Sequence, residues 1–255
     1  MLANAFIQPG DAVIEFGARY GTTSCILSRN VGMEGHVISV EPDVLVHGYL
    51  LRNRYEHGCN FHAVLGTVSN EPLFPGRYTG YAGQTTSVGI GMGIPHVNVS
   101  VIEQSVEERI NVALIDCEGK QHRGAHGSDK VSSVCGIITH SRPHITTGCI
   151  PFVDKTGLLD ETYGVDLILM EEDAIDYSEW HLKLQSRKYK CVWYIKDTYA
   201  PNEIGWSQKL RHSAWAHERI LSEGANKREI PLSCEEYVKQ HGFTSEQIDC
   251  SHCPV

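Results

Sequence analysis

The chain has 255 residues, enough for one α/β domain with additions. Its 22 basic and 31 acidic residues give a net charge of -9, which offers no basic stripe and predicts no nucleic-acid partner. The N-terminus lacks the pattern of a signal peptide, and no apolar run approaches the roughly 18 residues of a membrane span. We therefore expect a cytoplasmic protein without a membrane partner, whose nine cysteines are mostly reduced, buried thiols.

The chain is organised around a strand, a glycine turn and a helix near its start. The apolar run from Ala12 to Phe16 predicts a buried strand, Gly17 and Gly21 mark a tight turn, and a helix begins at Thr22. Glycine lets the backbone approach a ligand closely, and the free N–H groups of a first helical turn favour an anionic group. The pattern predicts a cradle for a polar ligand.

A second strand, His36 to Glu41, ends in a carboxylate. An acid about twenty residues beyond such a turn can accept both hydroxyls of an adenosyl ribose. The spacing Glu15-x-Gly17-x-x-x-Gly21 lacks the second glycine of the dinucleotide fingerprint, which disfavours NAD. The pattern resembles motif I of the class I S-adenosylmethionine-dependent methyltransferases.

Further strands and helices alternate after this unit. Asp43 is expected to cap a helix that closes at His57-Gly58, and residues 60–65 predict a third strand. This order predicts a Rossmann-like, doubly wound, mostly parallel sheet with helices on both faces. Ligands of such sheets lie beyond the carboxyl ends of the strands, so Val64 and Leu65 are expected near an adenine.

Regular patterns fail in the glycine-rich segment 69–95, which is expected to be either a lid or a surface loop. Residues 96–102 alternate like a strand, and Ser105 with Glu108 forms the pattern of a capping box for a short helix. A buried strand over residues 111–116 then ends in Asp116-Cys117-Glu118-Gly119.

A strand that runs into Asp-x-Glu-Gly resembles the signature of the FkbM-type methyltransferases. The resemblance implies a Rossmann-like fold, S-adenosyl-L-methionine as methyl donor, and transfer to an oxygen of a small-molecule or glycosidic acceptor. On matching positions it implies that Glu41 binds the ribose and that Asp116 faces the reaction centre, with Asp116 and Glu118 as catalytic candidates. The expected donor-binding residues are Glu15, Phe16, Gly17, Ala18, Arg19, Tyr20, Gly21, Thr22, Glu41, Pro42, Val64, Leu65 and Asp116.

Residues 120–148 are polar, rich in histidine and without periodicity, whereas the segment from Cys149 has the pattern of the helix that should follow Gly119 directly. We expect a disordered insertion at the carboxyl edge of the sheet. Three functions therefore stay open: an active methyltransferase, a methyltransferase-like binding module impaired by the insertion, and, disfavoured by the glycine spacing, an NAD-type oxidoreductase. No metal site is expected, either in the insertion or at residues 250–253.

The remaining patterns predict a strand over residues 165–170 that leads into Glu171 and Glu172, two further acidic candidates. A helix over 177–188, a strand over 190–195 and a helix over 206–223 follow, and Ser233 with Glu236 predicts a capped helix. We expect a methyltransferase-like domain over residues 1–225 and a C-terminal helical extension and tail over 226–255. The oligomeric state is not predicted.

Overall fold

Helices and strands alternate along the chain. The computed structural model describes residues 2–68, 72–75, 85–86, 92–116, 119–122, 132–135, 150–172, 177–197, 211–222, 228–230, 233–242, 248–251 and 253. The strands are β1 (Ala12–Phe16), β2 (His36–Glu41), β3 (His62–Leu65), β4 (Phe74–Pro75), β5 (Thr85–Thr86), β6 (Val112–Ile115), β7 (Gly119–His122), β8 (Ser132–Cys135), β9 (Leu167–Glu172), β10 (Tyr189–Asp197), β11 (Arg211–His217) and β12 (Ile248–Ser251). The helices are α1 (Leu2–Phe6), α2 (Thr22–Val31), α3 (Val44–Glu56), α4 (Val99–Val106), α5 (Ile150–Lys155), α6 (Ser178–Ser186), α7 (Glu218–Leu221) and α8 (Cys234–Gln240).

Eight strands form one sheet in the order β3-β2-β1-β6-β9-β11-β10-β12. The first five pair in parallel, whereas β11 is antiparallel to both β9 and β10, and β12 is antiparallel to β10. In the parallel part the strand order reverses at β1, which leaves a crevice between β1 and β6 at their carboxyl ends. The predicted Rossmann-like, mostly parallel sheet is confirmed.

The core lies on both faces of this sheet. Alternate residues of β1 face opposite sides, so that Val13 packs with α1 and α2, whereas Ile14 and Phe16 pack with residues of α4, α5 and α6. All five residues of β1 are buried. A strand enclosed on both faces needs a continuous apolar run, which is why its pattern is easy to recognise in the sequence.

Two predicted helix caps are confirmed. The Asp43 side chain accepts hydrogen bonds from two N–H groups of the first turn of α3, and Ser233 forms a complete capping box with Glu236 at the start of α8. The predicted capping box of Ser105 with Glu108 is wrong, because Ser105 lies in the last turn of α4. Two further predictions are also wrong. Residues 99–106 are the helix α4, capped by Asn98, instead of a strand at 96–102, and residues 211–217 are the strand β11 instead of part of a helix.

Within the described part of the chain, three disulfides replace the expected reduced thiols, joining Cys25 to Cys59, Cys191 to Cys253, and Cys234 to Cys250. Their Cα–Cα distances of 5.2, 5.8 and 5.8 Å lie in the usual range for disulfides. The prediction of reduced thiols is therefore wrong for these six cysteines. Disulfides are typical of oxidising compartments, and the cytoplasmic location stays a prediction.

The C-terminal segment is tied to the sheet. The Cys234–Cys250 disulfide joins α8 to β12, and the Cys191–Cys253 disulfide joins β10 to the residues after β12. β12 pairs with β10 at the edge of the sheet, so residues 248–251 are a strand and not the expected tail. Arg228, which is 8% exposed, donates to the Asp11 carboxylate at 2.5 and 2.8 Å and to the Phe6 carbonyl at 2.6 Å. The division into domains at residue 225 stays a prediction.

Within the predicted insertion at 120–148, the structure describes parts of β7 and β8, which pair as a short antiparallel hairpin. The rest of that insertion lies outside the described residues, as does most of the predicted lid or loop at 69–95. The helix expected from Cys149 is present as α5, beginning at Ile150. Among the helices that the structure describes, none is long and apolar enough to cross a membrane.

Candidate functional site

The glycine turn lies at the carboxyl end of β1, beside the crevice where the strand order reverses. The N–H groups of Gly17 and Ala18 both donate to the Val40 carbonyl at 3.1 Å, which fixes the turn against β2. Gly17, Arg19 and Gly21 have φ angles of 93°, 51° and 85°, all in the left-handed region that favours glycine. The turn is therefore a defined backbone loop held next to the crevice, as the glycine spacing predicts.

Glu41 ends β2 next to this turn. One of its carboxylate oxygens accepts a hydrogen bond from the Arg19 N–H at 2.9 Å, and the other accepts from the Asp43 N–H at 2.8 Å. Burial raises the pKa of Glu41 to about 7, although these backbone hydrogen bonds lower it. Each carboxylate oxygen keeps a lone pair for a further donor, so the fixed group can accept two more hydrogen bonds.

Glu15 lies inside the fold, beneath the turn. A single oxygen of its carboxyl group accepts hydrogen bonds from the hydroxyls of Ser24 at 2.5 Å and Ser39 at 2.9 Å. Burial raises the pKa of Glu15 to about 7, and the neighbouring acids Asp116 and Glu41 raise it further. Glu15 therefore joins β1, β2 and α2 from within.

The side of Gly21 on which a Cβ atom would lie faces the interior. A Cβ atom at this position would lie 2.7 Å from the Leu50 side chain of α3 and 3.4 Å from the Phe61 ring. Phe16 and Ala18 are also buried. Glu15 and Glu41 of the expected donor-binding set are buried as well. The members that keep accessible surface lie at the ends of β1, β2, β3 and β6 or at the start of α2: Gly17, Arg19, Tyr20, Thr22, Pro42, Val64, Leu65 and Asp116.

Asp116 follows β6 directly across the crevice from the turn. Its N–H donates to the Phe16 carbonyl at 3.0 Å, which places Asp116 beside Gly17 at the carboxyl ends of adjacent strands. The structure thus brings together the turn, Glu41 and Asp116, residues that are far apart in the sequence. The other catalytic candidate, Glu118, lies outside the described residues.

A cavity of about 260 Å³ extends from Asp116 along one face of the sheet. Its lining residues come from α1, α2 and the carboxyl edge of the sheet: Leu2, Ala3, Thr23, Ile26, Leu114, Asp116, Leu169, Met170, Glu171, Ile195 and His212. His212 and the α1 residues were not found by sequence reasoning, because β11 was interpreted as helix and α1 carries no motif. Among the described residues, no group of three or more His, Cys, Asp or Glu could hold a metal ion.

Glu172, the other acidic candidate of β9, lies on the opposite face from this cavity. Its carboxylate accepts from the Ser213 hydroxyl at 2.5 Å and lies 3.0 Å from His181 Nε2. The Trp215 indole N–H donates to the same hydroxyl at 3.0 Å. Glu172 is 1% exposed, so it serves the packing of β9, β11 and α6 and does not face the crevice.

No protein-family model matches this sequence, and no curated protein matches it. Among solved structures, an rRNA methylase from Streptococcus thermophilus has 9% identity and a TM-score of 0.43, over 85% of this chain and 91% of that chain. Aeropyrum pernix fibrillarin with natively bound S-adenosyl-L-methionine has 11% identity and a TM-score of 0.44, over 82% and 68%. A protein-L-isoaspartate O-methyltransferase has 30% identity over only 26% of this chain and 21% of that chain, with a TM-score of 0.24.

The TM-scores of these three neighbours, 0.24 to 0.44, do not confirm the FkbM-like family. An rRNA methylase among them stands against the prediction that nucleic acid is excluded as a partner. The prediction used the charge of the whole chain, which does not determine the local surface that meets a substrate. We therefore withdraw both the exclusion of nucleic acid and the restriction to a small-molecule acceptor.

Proposed function

We propose that the protein is an S-adenosyl-L-methionine-dependent methyltransferase that binds its donor in the crevice between β1 and β6. The observation that carries the proposal is the set of acidic groups around this crevice. Glu41 and Asp116 flank the glycine turn, and Glu15 lies beneath it. Glu41 suits the adenosyl ribose that S-adenosylmethionine and NAD share. S-adenosylmethionine is cationic at its sulfonium and ammonium groups, whereas NAD carries an anionic pyrophosphate, so the Asp116 carboxylate beside the turn favours the first ligand and opposes the second.

Each part of the site has a proposed role. Glu41 accepts the two ribose hydroxyls through the lone pairs that its backbone hydrogen bonds leave open. The Gly17 turn lets the backbone approach the methionine part, and Val64 and Leu65 contact the adenine from the end of β3. Asp116 holds the donor at the reaction centre, with Glu118 as a second catalytic candidate. The Asp116-Cys117-Glu118-Gly119 run supports an FkbM-like relation within this class.

When bound, the donor supplies a methyl group on a positively charged sulfur. The enzyme's contribution to such a transfer is mainly to position the reacting groups and to match their charge. The chain meets both needs with groups that are fixed before any ligand binds, because Glu41 and the turn are held by backbone hydrogen bonds.

Calorimetry with the full chain tests donor binding. We expect S-adenosylmethionine or its product S-adenosylhomocysteine to bind and NAD not to bind. Glu41→Ala should weaken binding by about 1–3 kcal/mol, the range for losing hydrogen bonds to a charged group. Glu108→Ala, at the opposite edge of the sheet, is the matched control and should bind normally. Unchanged affinity in folded Glu41→Ala would refute the site, and binding of NAD alone would refute the function.

Transfer itself is tested with a donor labelled in its methyl group. Incorporation of label is measured into separate RNA, protein and metabolite fractions, with the intact chain and with a deletion that joins Gly119 to Cys149. Label in any fraction with the intact chain supports an active enzyme. If the intact chain binds the donor but transfers no label, and the deletion variant does transfer label, residues 120–148 impair the site.

A further inference from the structure

The cavity beside Asp116 carries a row of polar side chains that the donor site does not use. Ile115 pairs with Met170 and Glu171 pairs with His212, so Asp116, Glu171 and His212 follow one another across β6, β9 and β11. All three line the same cavity. With strands about 4.8 Å apart, the row extends about 10 Å from Asp116, leading away from the glycine turn.

The rest of the lining is largely apolar. Leu114, Leu169 and Ile195 form the floor, and α1 and α2 contribute Leu2 and Ile26 to the walls. At about 260 Å³ the cavity is a little smaller than ligand pockets that hold whole drug-sized molecules, which begin at about 300 Å³. Its size and lining suit a single ring, or an aliphatic group of similar size, with one polar end.

The acidic side chains of this row limit which polar group of a ligand the cavity can bind. Two carboxylates, Asp116 and Glu171, repel a carboxylate or phosphate but attract an ammonium group or the hydrogen of an N–H or O–H group. His212, at the far end of the row, presents an imidazole to the same cavity. The cavity thus combines an apolar lining with hydrogen-bonding side chains, and Asp116 connects it to the donor crevice.

We propose that this cavity binds the methyl acceptor as a non-anionic N–H or O–H group carried on an apolar body of about one ring, with Glu171 and His212 as acceptor-contacting residues. This inference rests on the proposed function, because it takes the adjacent crevice as the donor site. In the transfer, the acceptor nitrogen or oxygen forms a bond to the methyl carbon, and the carbon–sulfur bond breaks with its electron pair going to sulfur. The proton that the acceptor loses goes to the carboxylate of Asp116, the member of the row that lies next to the donor crevice.

The test uses benzylamine and benzoate, which share a ring but carry opposite charges. Each is titrated into the full chain saturated with S-adenosylhomocysteine, and NMR follows the ring resonances of His212, assigned from the His212→Asn spectrum. We expect benzylamine to bind and to move these resonances, and benzoate to bind at least about tenfold more weakly. Glu171→Gln should weaken benzylamine at least about fivefold, whereas the remote control Glu108→Gln should leave it unchanged.

Failure of the two proposals can be distinguished on the same samples. If calorimetry detects no S-adenosylhomocysteine, the donor site is refuted, whatever the amine does. If S-adenosylhomocysteine binds but benzylamine does not, or benzoate binds equally well, or Glu171→Gln has no effect on benzylamine, the acceptor site is refuted and the donor site stands.

Discussion

Donor binding should depend on pH through Glu41. Burial raises the pKa of Glu41 to about 7 in the unliganded protein, from an ordinary value of 4.5. Only the ionised carboxylate can accept hydrogen bonds from both ribose hydroxyls, so affinity is full above pH 7 and is lost as the pH falls through this pKa. Between pH 8 and pH 6 the ionised fraction falls about tenfold, which corresponds to about 1.4 kcal/mol of binding free energy.

Calorimetry with S-adenosylhomocysteine at pH 6, 7 and 8 measures this effect. Comparing the binding enthalpy in two buffers of different ionisation enthalpy gives the number of protons that binding releases. At pH 7 we expect about half a proton, because about half of the Glu41 carboxyl groups are protonated before binding. Glu41→Gln should bind weakly at every pH and release no proton from this position. An affinity that does not change between pH 6 and pH 8, or an undiminished proton release in Glu41→Gln, would refute the reasoning.

Glu15 provides the control, because burial raises its pKa to about 7 as well. Its carboxyl group is held by the Ser24 and Ser39 hydroxyls inside the fold and does not face the crevice. Glu15→Gln should therefore keep the pH dependence of affinity. If this variant loses that dependence and Glu41→Gln keeps it, the titrating group has been assigned to the wrong carboxylate.

Three further predictions concern stability, measured by chemical unfolding. Gly21→Ala should cost about 1–3 kcal/mol more than Gly10→Ala, because both glycines have φ near 85° but only the Cβ at Gly21 meets a neighbour; equal losses would contradict the packing described for the turn. Arg228→Met should cost about 3–5 kcal/mol by leaving the buried Asp11 carboxylate without its cation, whereas Arg52→Met, in an exposed ion pair, should have a much smaller effect. Reducing the disulfides should lower the stability, by about 3 kcal/mol for a loop of the length closed by Cys234–Cys250; an unfolding curve unaffected by reductant would show that the thiols are free.

The first half of the sheet and its crevice could be predicted because their signals are local. β1 is a short apolar run, the turn carries its own glycines, and Asp43 caps the next helix within three residues. The positions of Glu41 and Asp116 follow once the strands are known to be parallel, since the carboxyl ends of parallel strands meet at one edge. This is why most of the candidate donor site was predicted as a group.

The errors arise where local patterns fit two structures. Val97, Val99 and Val101 alternate as in a strand, but Val99, Ile102 and Val106 also form a helical stripe, which packs on the sheet beneath the Asn98 cap. β11 has little β-branched character, and its strand conformation depends on pairing with β9 and β10, which are distant in sequence. His212 was missed for that reason. The pairing of the cysteines also depends on the fold and cannot be deduced from their spacing.

The position of β11 has a consequence for the order in which the chain can fold during synthesis. β11 lies between β9 and β10, so β10 has no neighbour in the parallel part of the sheet until residues 211–217 have been made. Among the described strands, β12 pairs with β10 alone, and it therefore also depends on β11 for its connection to the rest of the sheet. A ribosome-bound chain that ends before β11 exposes the unpaired edges of both β9 and β10, and such edges favour aggregation. The last quarter of the chain thus determines when the sheet is complete, although the proposed donor site is encoded in the first half.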